Sequence, residues 1–288
     1  MRPSLEHVNS QREVFIMGEN TAIAIGGTGF RLFDPTTLER LQESNLILVD
    51  VRREIDYDQG HIPGSINIPV SSFVIIDGKS KRHPSSEELS KILSEGGISN
   101  KNTVVAYDDQ NGAYSSRFLW TMELYGHKSL GLLDQNFEEY ARRGGRISKE
   151  RAKTQPADYQ PKFDESKLAT WEYVKSHLED NDTTIVDTRN RPEFLSGHMP
   201  GVVSFYWILA VGKDKIFQDQ SRLEMIFDEH FLNKNKEIIT YCKDGMTSSH
   251  TYLALKLMGF SKIRLYTKGY NEWKNLPDIS EIAELPDP

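Results

Sequence analysis

Short apolar runs alternate with amphipathic stretches along most of this chain, and the pattern is clearest in its C-terminal half. Residues 171–178 space their apolar positions as a helix, 184–187 read as a buried strand, and 202–207 as another strand. A helical stretch over 222–231 precedes the apolar run Glu237-Ile238-Ile239-Thr240-Tyr241. That strand breaks into a tight turn leading directly into a helix over 247–258, and residues 262–266 form a last strand. Such alternation predicts a parallel sheet covered by helices on both faces. Ligands of these sheets bind beyond the carboxyl ends of the strands, which is where the turn after Tyr241 lies.

The same pattern occurs twice. Leu48-Val49-Asp50-Val51-Arg52 followed by Gly60-His61-Ile62-Pro63-Gly64 returns as Ile185-Val186-Asp187-Thr188-Arg189 followed by Gly197-His198-Met199-Pro200-Gly201. One offset relates both segments (187 − 50 = 198 − 61 = 137). Thr103-Val104-Val105-Ala106-Tyr107 mirrors the strand at 237–241, Ser115-Ser116 mirrors Ser248-Ser249, and Tyr125-Gly126-His127 mirrors Met258-Gly259-Phe260. Two copies of this length are a domain duplication, not a repeat array. The expected divisions are an N-terminal extension at 1–31, a first domain at 32–145, a linker at 146–162 and a second domain at 163–280. The linker stretch lacks apolar periodicity and carries Pro156 and Pro161, so it reads as extended. Gly26-Gly27-Thr28-Gly29 in the extension matches neither phosphate-loop pattern, and the segment reads as a flexible terminus.

A length of 288 residues agrees with two domains, and 38% hydrophobic with 27% charged residues describes an ordinary globular chain. A net charge of −7 and a pI near 5.7 argue against nucleic-acid and anionic-membrane partners. An anionic substrate therefore needs a local positive site. No stretch resembles a signal peptide or a membrane span, so a soluble, cytoplasmic protein is expected. One cysteine excludes an intramolecular disulfide framework and a thiolate-rich metal centre.

That cysteine, Cys242, stands in Tyr241-Cys242-Lys243-Asp244-Gly245-Met246-Thr247-Ser248-Ser249, at the strand–turn–helix junction. There it faces unpaired backbone N–H groups and the positive end of a helix dipole, a setting expected to favour thiolate over thiol. Two copies of Asp-x-Arg…Gly-His-x-Pro-Gly, with a cysteine loop only in the second, resemble the tandem-domain rhodanese sulfurtransferases. The resemblance spans about 32–277 and implies an α/β chain of two rhodanese-like domains, each a small parallel sheet flanked by helices on both faces. It also implies that the second domain is catalytic and the first inactive. Asp108 stands at the first-copy position of Cys242, in a loop one residue longer (115 − 107 = 8 against 248 − 241 = 7). A carboxylate cannot carry a sulfane sulfur.

A loop Cys-x-x-Gly-x-Thr before a helix can curl its N–H groups toward one point as an anion nest. Gly245 supplies the backbone freedom, Thr247 and Ser248 are expected hydroxyl donors, and Lys243, Asp244 and Met246 complete the binding loop. The implied chemistry is sulfur exchange through a persulfide on Cys242, from a small donor to cyanide, a thiol or a protein acceptor, with no metal or organic cofactor. Thiosulfate-using relatives commonly carry two basic residues after the cysteine, and 3-mercaptopyruvate-using relatives carry small neutral ones. Here Lys243 and Asp244 form a cancelling pair, and Glu193 stands where thiosulfate enzymes place an arginine, with Arg191 the nearby substitute. The expectation favours thiosulfate through Lys243, with 3-mercaptopyruvate as the alternative.

Because the cysteine-free copy repeats them, Asp50/Arg52 and Asp187/Arg189 read as buried pairs bracing the loops, and His61 and His198 as turn residues. Asp187, Arg189 and Arg191 are the expected supports of the site. Arg117 and His250, which follow the paired serines, are expected on exposed or interdomain helix faces. Trp207 is the tryptophan placed to line an interdomain pocket. A phosphatase of the same fold would need an arginine six residues after the cysteine, where Ser248 stands. A purely scaffolding role leaves Cys242, Gly245 and Thr247 unexplained.

Overall fold

The computed structural model describes residues 23–24, 30–40, 45–77 and 80–277. The glycine cluster at 26–29 and most of the expected N-terminal extension lie outside the described residues. The first half runs β1 (Ile23–Ala24), β2 (Phe30–Phe33), α1 (Pro35–Arg40), β3 (Leu46–Asp50), α2 (Glu54–Gln59) and β4 (Ile66–Asn67). It continues with a hairpin of β5 (Ile75–Asp77) and β6 (Ser80–Arg82), then α3 (Ser86–Glu95), β7 (Thr103–Tyr107), α4 (Ala113–Leu124), β8 (Leu130–Leu133) and α5 (Phe137–Arg142). The second half contains α6 (Trp171–Ser176), β9 (Thr183–Asp187), α7 (Arg191–Leu195), β10 (Val203–Ser204) and α8 (Gln220–Glu229). It ends with β11 (Glu237–Tyr241), α9 (Met246–Leu257), β12 (Ile263–Tyr266) and α10 (Gly269–Trp273).

The strands form two sheets, ordered β1-β2-β8-β7-β3-β4 and β10-β9-β11-β12. Reversed, the first contains the second's order: β4-β3-β7-β8 corresponds to β10-β9-β11-β12. Every pairing in these two sheets is parallel except β1 with β2. Register repeats as well, with Asp50 opposite Tyr107 and Asp187 opposite Tyr241. The central strands are apolar on both faces because helices cover both: Val104, Val105, Ala106, Ile238 and Ile239 are wholly buried.

Two expectations change. Instead of a strand over 202–207, only Val203–Ser204 pair with β9, and a 3-10 turn follows at Trp207–Ala210. The cause is that β9 ends at Asp187, so the next N–H groups bond its last carbonyls. Phe205 donates to Asp187 at 2.8 Å and Trp207 to Thr188 at 3.2 Å, which turns the chain over the end of the sheet. The stretch at 146–162 has no helix, yet it is fastened to the first half. His61 and Ser148 exchange two 2.9 Å backbone hydrogen bonds, Ala157 donates to Ser94, and Tyr159 is fully buried against His127. Its prolines prevent regular pairing without preventing packing.

α4 and α9 lie against each other between the halves. Both are buried nearly all round, so their sequences show little amphipathicity. One hydrophobic cluster runs through both halves across this seam, including Phe118, Trp120, Ile216, Phe217 and Leu253. Glu123 of α4 closes one end of the seam by pairing with Lys256 of α9 and accepting from the Tyr252 hydroxyl.

Candidate active site

β11 delivers Cys242 to the carboxyl edge of the second sheet, 3% exposed. Its Sγ accepts the Gly245 N–H at 3.2 Å and the Ser248 hydroxyl at 3.5 Å. Gly245 caps α9 in the left-handed region, at φ 82°. Any Cβ there would meet the Thr267 backbone at 2.7 Å and Arg117 Nη1 at 2.6 Å, so glycine is required by conformation and by space. The loop's carbonyls are taken from the other side, where Cys242 O accepts from Tyr270 N at 2.8 Å and Lys243 O from Asn271 N at 3.1 Å. With its acceptors engaged by α10, the loop presents donors to the sulfur. Thr247 and Met246 are half-buried, and among the described residues the hydroxyl that reaches the sulfur is that of Ser248.

Beneath the loop, Asp187 and Arg189 form a fully buried bidentate pair. Arg189 also donates to Gly197 O at 2.8 Å and stacks over Tyr270, while Tyr241 donates its hydroxyl to Asp187 at 2.8 Å. Burial and the Asp187 charge push the Tyr241 phenol far above its ordinary range, so it remains a donor. Asp50, Arg52 and Gly60 repeat the arrangement in the first half. These groups hold each other and brace the Gly-His-x-Pro-Gly turn. His198 stacks on Phe194 with Nδ1 at 3.0 Å from its carbonyl, and His61 stacks likewise on Tyr57.

The loop charges are distributed differently from the expectation. Lys243 pairs with Glu193, and Asp244 pairs at 2.6 Å with Lys81 on β6 of the first half. Neither pairs with the other, and Arg191 is exposed at the start of α7. Lys81 lies 163 residues from Asp244, so no local pattern could announce it. Arg117 is the other contribution from the first half. It is buried in α4, with Nη1 at 3.4 Å from Gly245 O. Burial lowers its guanidinium to about 10, while the Cys242 and Asp244 charges act to raise it.

The first half contains the same nest filled differently. Asp108 Oδ1 accepts from Gln110 N at 2.8 Å and Gly112 N at 2.9 Å, and Oδ2 from Ser115 N at 2.7 Å and its hydroxyl at 2.9 Å. Burial raises this carboxyl's pKa, opposed by the N–H groups of Ser115 and Gly112. The mouth is closed by the second half: Ile216 and His250 lie against Gly112, and Asp134 Oδ1 accepts from Ile216 N at 3.0 Å. Burial pushes His250 down to about 4, so it is a neutral imidazole at neutral pH. Trp207 meets the edge of this imidazole with centroids 5.1 Å apart, which places it at the seam.

Two stretches, 34–143 and 170–276, match the family model described as the Rhodanese-like domain. The chain belongs to the rhodanese family, as two domains in tandem. It is 28% identical over 263 residues to a sulfur carrier protein, TtuD, of Thermus thermophilus, covering 84% of this chain and 92% of that one. It is 26% identical over 265 residues to a thiosulfate sulfurtransferase of Pseudomonas aeruginosa, covering 86% and 95%. Among solved structures, the 3-mercaptopyruvate sulfurtransferase SseA of Escherichia coli shares the fold, with a TM-score of 0.75 at 20% identity over 83% of this chain and 98% of that one.

Proposed function

We propose that this protein is a sulfurtransferase that carries a sulfane sulfur as a persulfide on Cys242. The observation that supports this most directly is the convergence of the Gly245 N–H and the Ser248 hydroxyl on Sγ, in a cradle whose twin holds a carboxylate. A cradle built for an anionic atom suits a thiolate and then Cys–S–S⁻. In the first step the Cys242 thiolate attacks the outer sulfur of thiosulfate, forming one S–S bond. The sulfane–sulfite bond breaks, and its electron pair departs with sulfite. In the second step cyanide or an acceptor thiolate attacks the outer sulfur of the persulfide, and the Cys242 thiolate is regenerated. Charge and electrons balance without a further reactant.

Thiosulfate is the donor supported by relatives named thiosulfate sulfurtransferase in Pseudomonas aeruginosa and Azotobacter vinelandii. A second reading, 3-mercaptopyruvate, is favoured by one observation: Glu193 and Lys81 neutralise both loop charges. A protein acceptor agrees with the relative named as a sulfur carrier. A buried, unpaired thiol suits a reducing compartment, and we place the protein in the cytoplasm; among the described residues no helix is long and apolar enough to cross a membrane.

Intact mass spectrometry after incubation with each donor tests this reading. The expected result is a gain of one sulfur atom, removed by cyanide and absent in Cys242→Ala. No adduct from either donor overturns it, and the faster donor identifies the class.

A further inference from the structure

Once Lys243 and Asp244 are engaged elsewhere, the cysteine loop itself offers the sulfur no free charge. Yet transfer from thiosulfate brings a dianion to an anionic sulfur in a protein of net charge −7. The cation at hand belongs to the other half. Arg117 is 1% exposed, and its Nε has no hydrogen-bond partner among the described residues. Among the described residues its single polar contact is the long one to Gly245 O, and its Cζ lies 4.9 Å from the Trp120 ring centroid. A guanidinium so poorly satisfied at such depth is costly unless an anion is near. Among the described residues, the charged and titratable groups that act on it are Cys242 and Asp244 on the loop and His83 after β6. Asp244 is held by Lys81 and His83 is no anion, so the sulfur remains.

The equivalent position in the second half shows that this is not a property of the helix pair. Arg117 and His250 occupy matching places (250 − 117 = 245 − 112 = 133), each beside the glycine that caps the opposite helix. The nest already filled by Asp108 faces the neutral imidazole, and the nest holding the cysteine faces the guanidinium.

We propose that Arg117, supplied by the domain without a cysteine, is the counter-ion of the Cys242 sulfur in its thiolate and persulfide states. The first domain thereby acts as a positioning partner in the reaction. The persulfide part of this proposal rests on the sulfur-transfer reading above; the thiolate part does not.

The test uses the full chain. Arg117→Met keeps volume and removes charge, whereas Arg117→Lys keeps the charge. Cys242 is the only cysteine, so intact mass reports its alkylation by iodoacetamide directly. In Arg117→Met, alkylation at neutral pH is expected to slow about tenfold, with the pH profile moving up by about one unit. Its melting temperature should hold or rise, because a poorly satisfied buried cation has been removed. Arg117→Lys should remain within about threefold of the wild type. A Met profile superimposed on the wild type, or a Lys variant as slow as Met, overturns the proposal.

A second measurement avoids variants of Arg117. Cys242→Asp copies the Asp108 nest and should melt higher than Cys242→Asn; an equal or lower melting temperature overturns the counter-ion role. If neither donor transfers sulfur while the alkylation shift and the Asp-over-Asn order hold, the sulfur-transfer reading fails and the Arg117 assignment stands.

Discussion

The two nests of this molecule share a backbone and differ in what fills them. In the first, the Asp108 carboxylate takes four donors and the second half closes the mouth with Ile216 and a neutral His250. In the second, Cys242 takes two longer contacts, and the first half contributes Arg117 and Lys81. The comparison separates structure from chemistry. Asp50/Arg52 and Asp187/Arg189 serve both nests equally and brace the turns. What distinguishes the second nest is a sulfur in place of a carboxylate, two hydrogen bonds in place of four and a nearby cation. The Asp108 side chain fills the first nest with four hydrogen bonds, whereas on the proposed reading the second is completed by the transferred sulfur.

If the Asp108 nest is a filled structural site, emptying it should be far more damaging than emptying its twin. Asp108→Ala leaves three backbone N–H groups and the Ser115 hydroxyl facing a void. The expected loss is about 3–5 kcal/mol in urea unfolding, against about 1 kcal/mol for Cys242→Ala. Equal losses would break the contrast.

The seam gives a sharper test through pH. His250 titrates near 4 in the fold against 6.5 when unfolded. Between these values the unfolded chain binds more protons, so this group's contribution is present above pH 6.5 and is lost as pH falls toward 4. The stability difference between wild type and His250→Gln should therefore fall by about 3 kcal/mol from pH 7 to pH 4. A flat difference would mean that the imidazole is not held neutral against the silent nest.

The two capping glycines give the smallest contrast. Both lie in the left-handed region, with φ 78° at Gly112 and 82° at Gly245. A Cβ at Gly112 meets the Ile216 γ-methyl and no backbone atom, while at Gly245 it meets the Thr267 backbone. Gly245→Ala should cost about 2–3 kcal/mol and most of the Cys242 reactivity, and Gly112→Ala about 1–2 kcal/mol with reactivity retained. Thermal melts with alkylation rates check both.

Much of this was legible along the chain. The helix expected at 247–258 begins one residue earlier, at Met246, because Gly245 caps it. Asp108 announced the silent nest by standing where the second copy has Cys242. Of the strand expected at 202–207 only Val203–Ser204 pair, because the apolar run from Val202 to Trp207 serves packing over a sheet end and not ladder pairing. Arg117 and His250 were visible as a pair after the doubled serines, but both are so deeply buried that amphipathicity gave their helices no recognisable face.

The sequence by itself determined the doubled α/β frame, the place of Cys242 at a strand's carboxyl end and the absence of a nucleophile in the first copy. Those are consequences of local periodicity and repetition, which any chain carries in its residue order. Only the tertiary structure decided where the charges go: Lys243 to Glu193, Asp244 to Lys81, and Arg117 to the nest holding the sulfur. The physical reason is that these encounters join different elements, the last 128 residues apart, and two of the three, Asp244 with Lys81 and Arg117 with Gly245, also depend on how two finished domains pack. No spacing in the chain encodes such a meeting, because it is set by how α7, β6 and α4 come to lie around the cysteine loop.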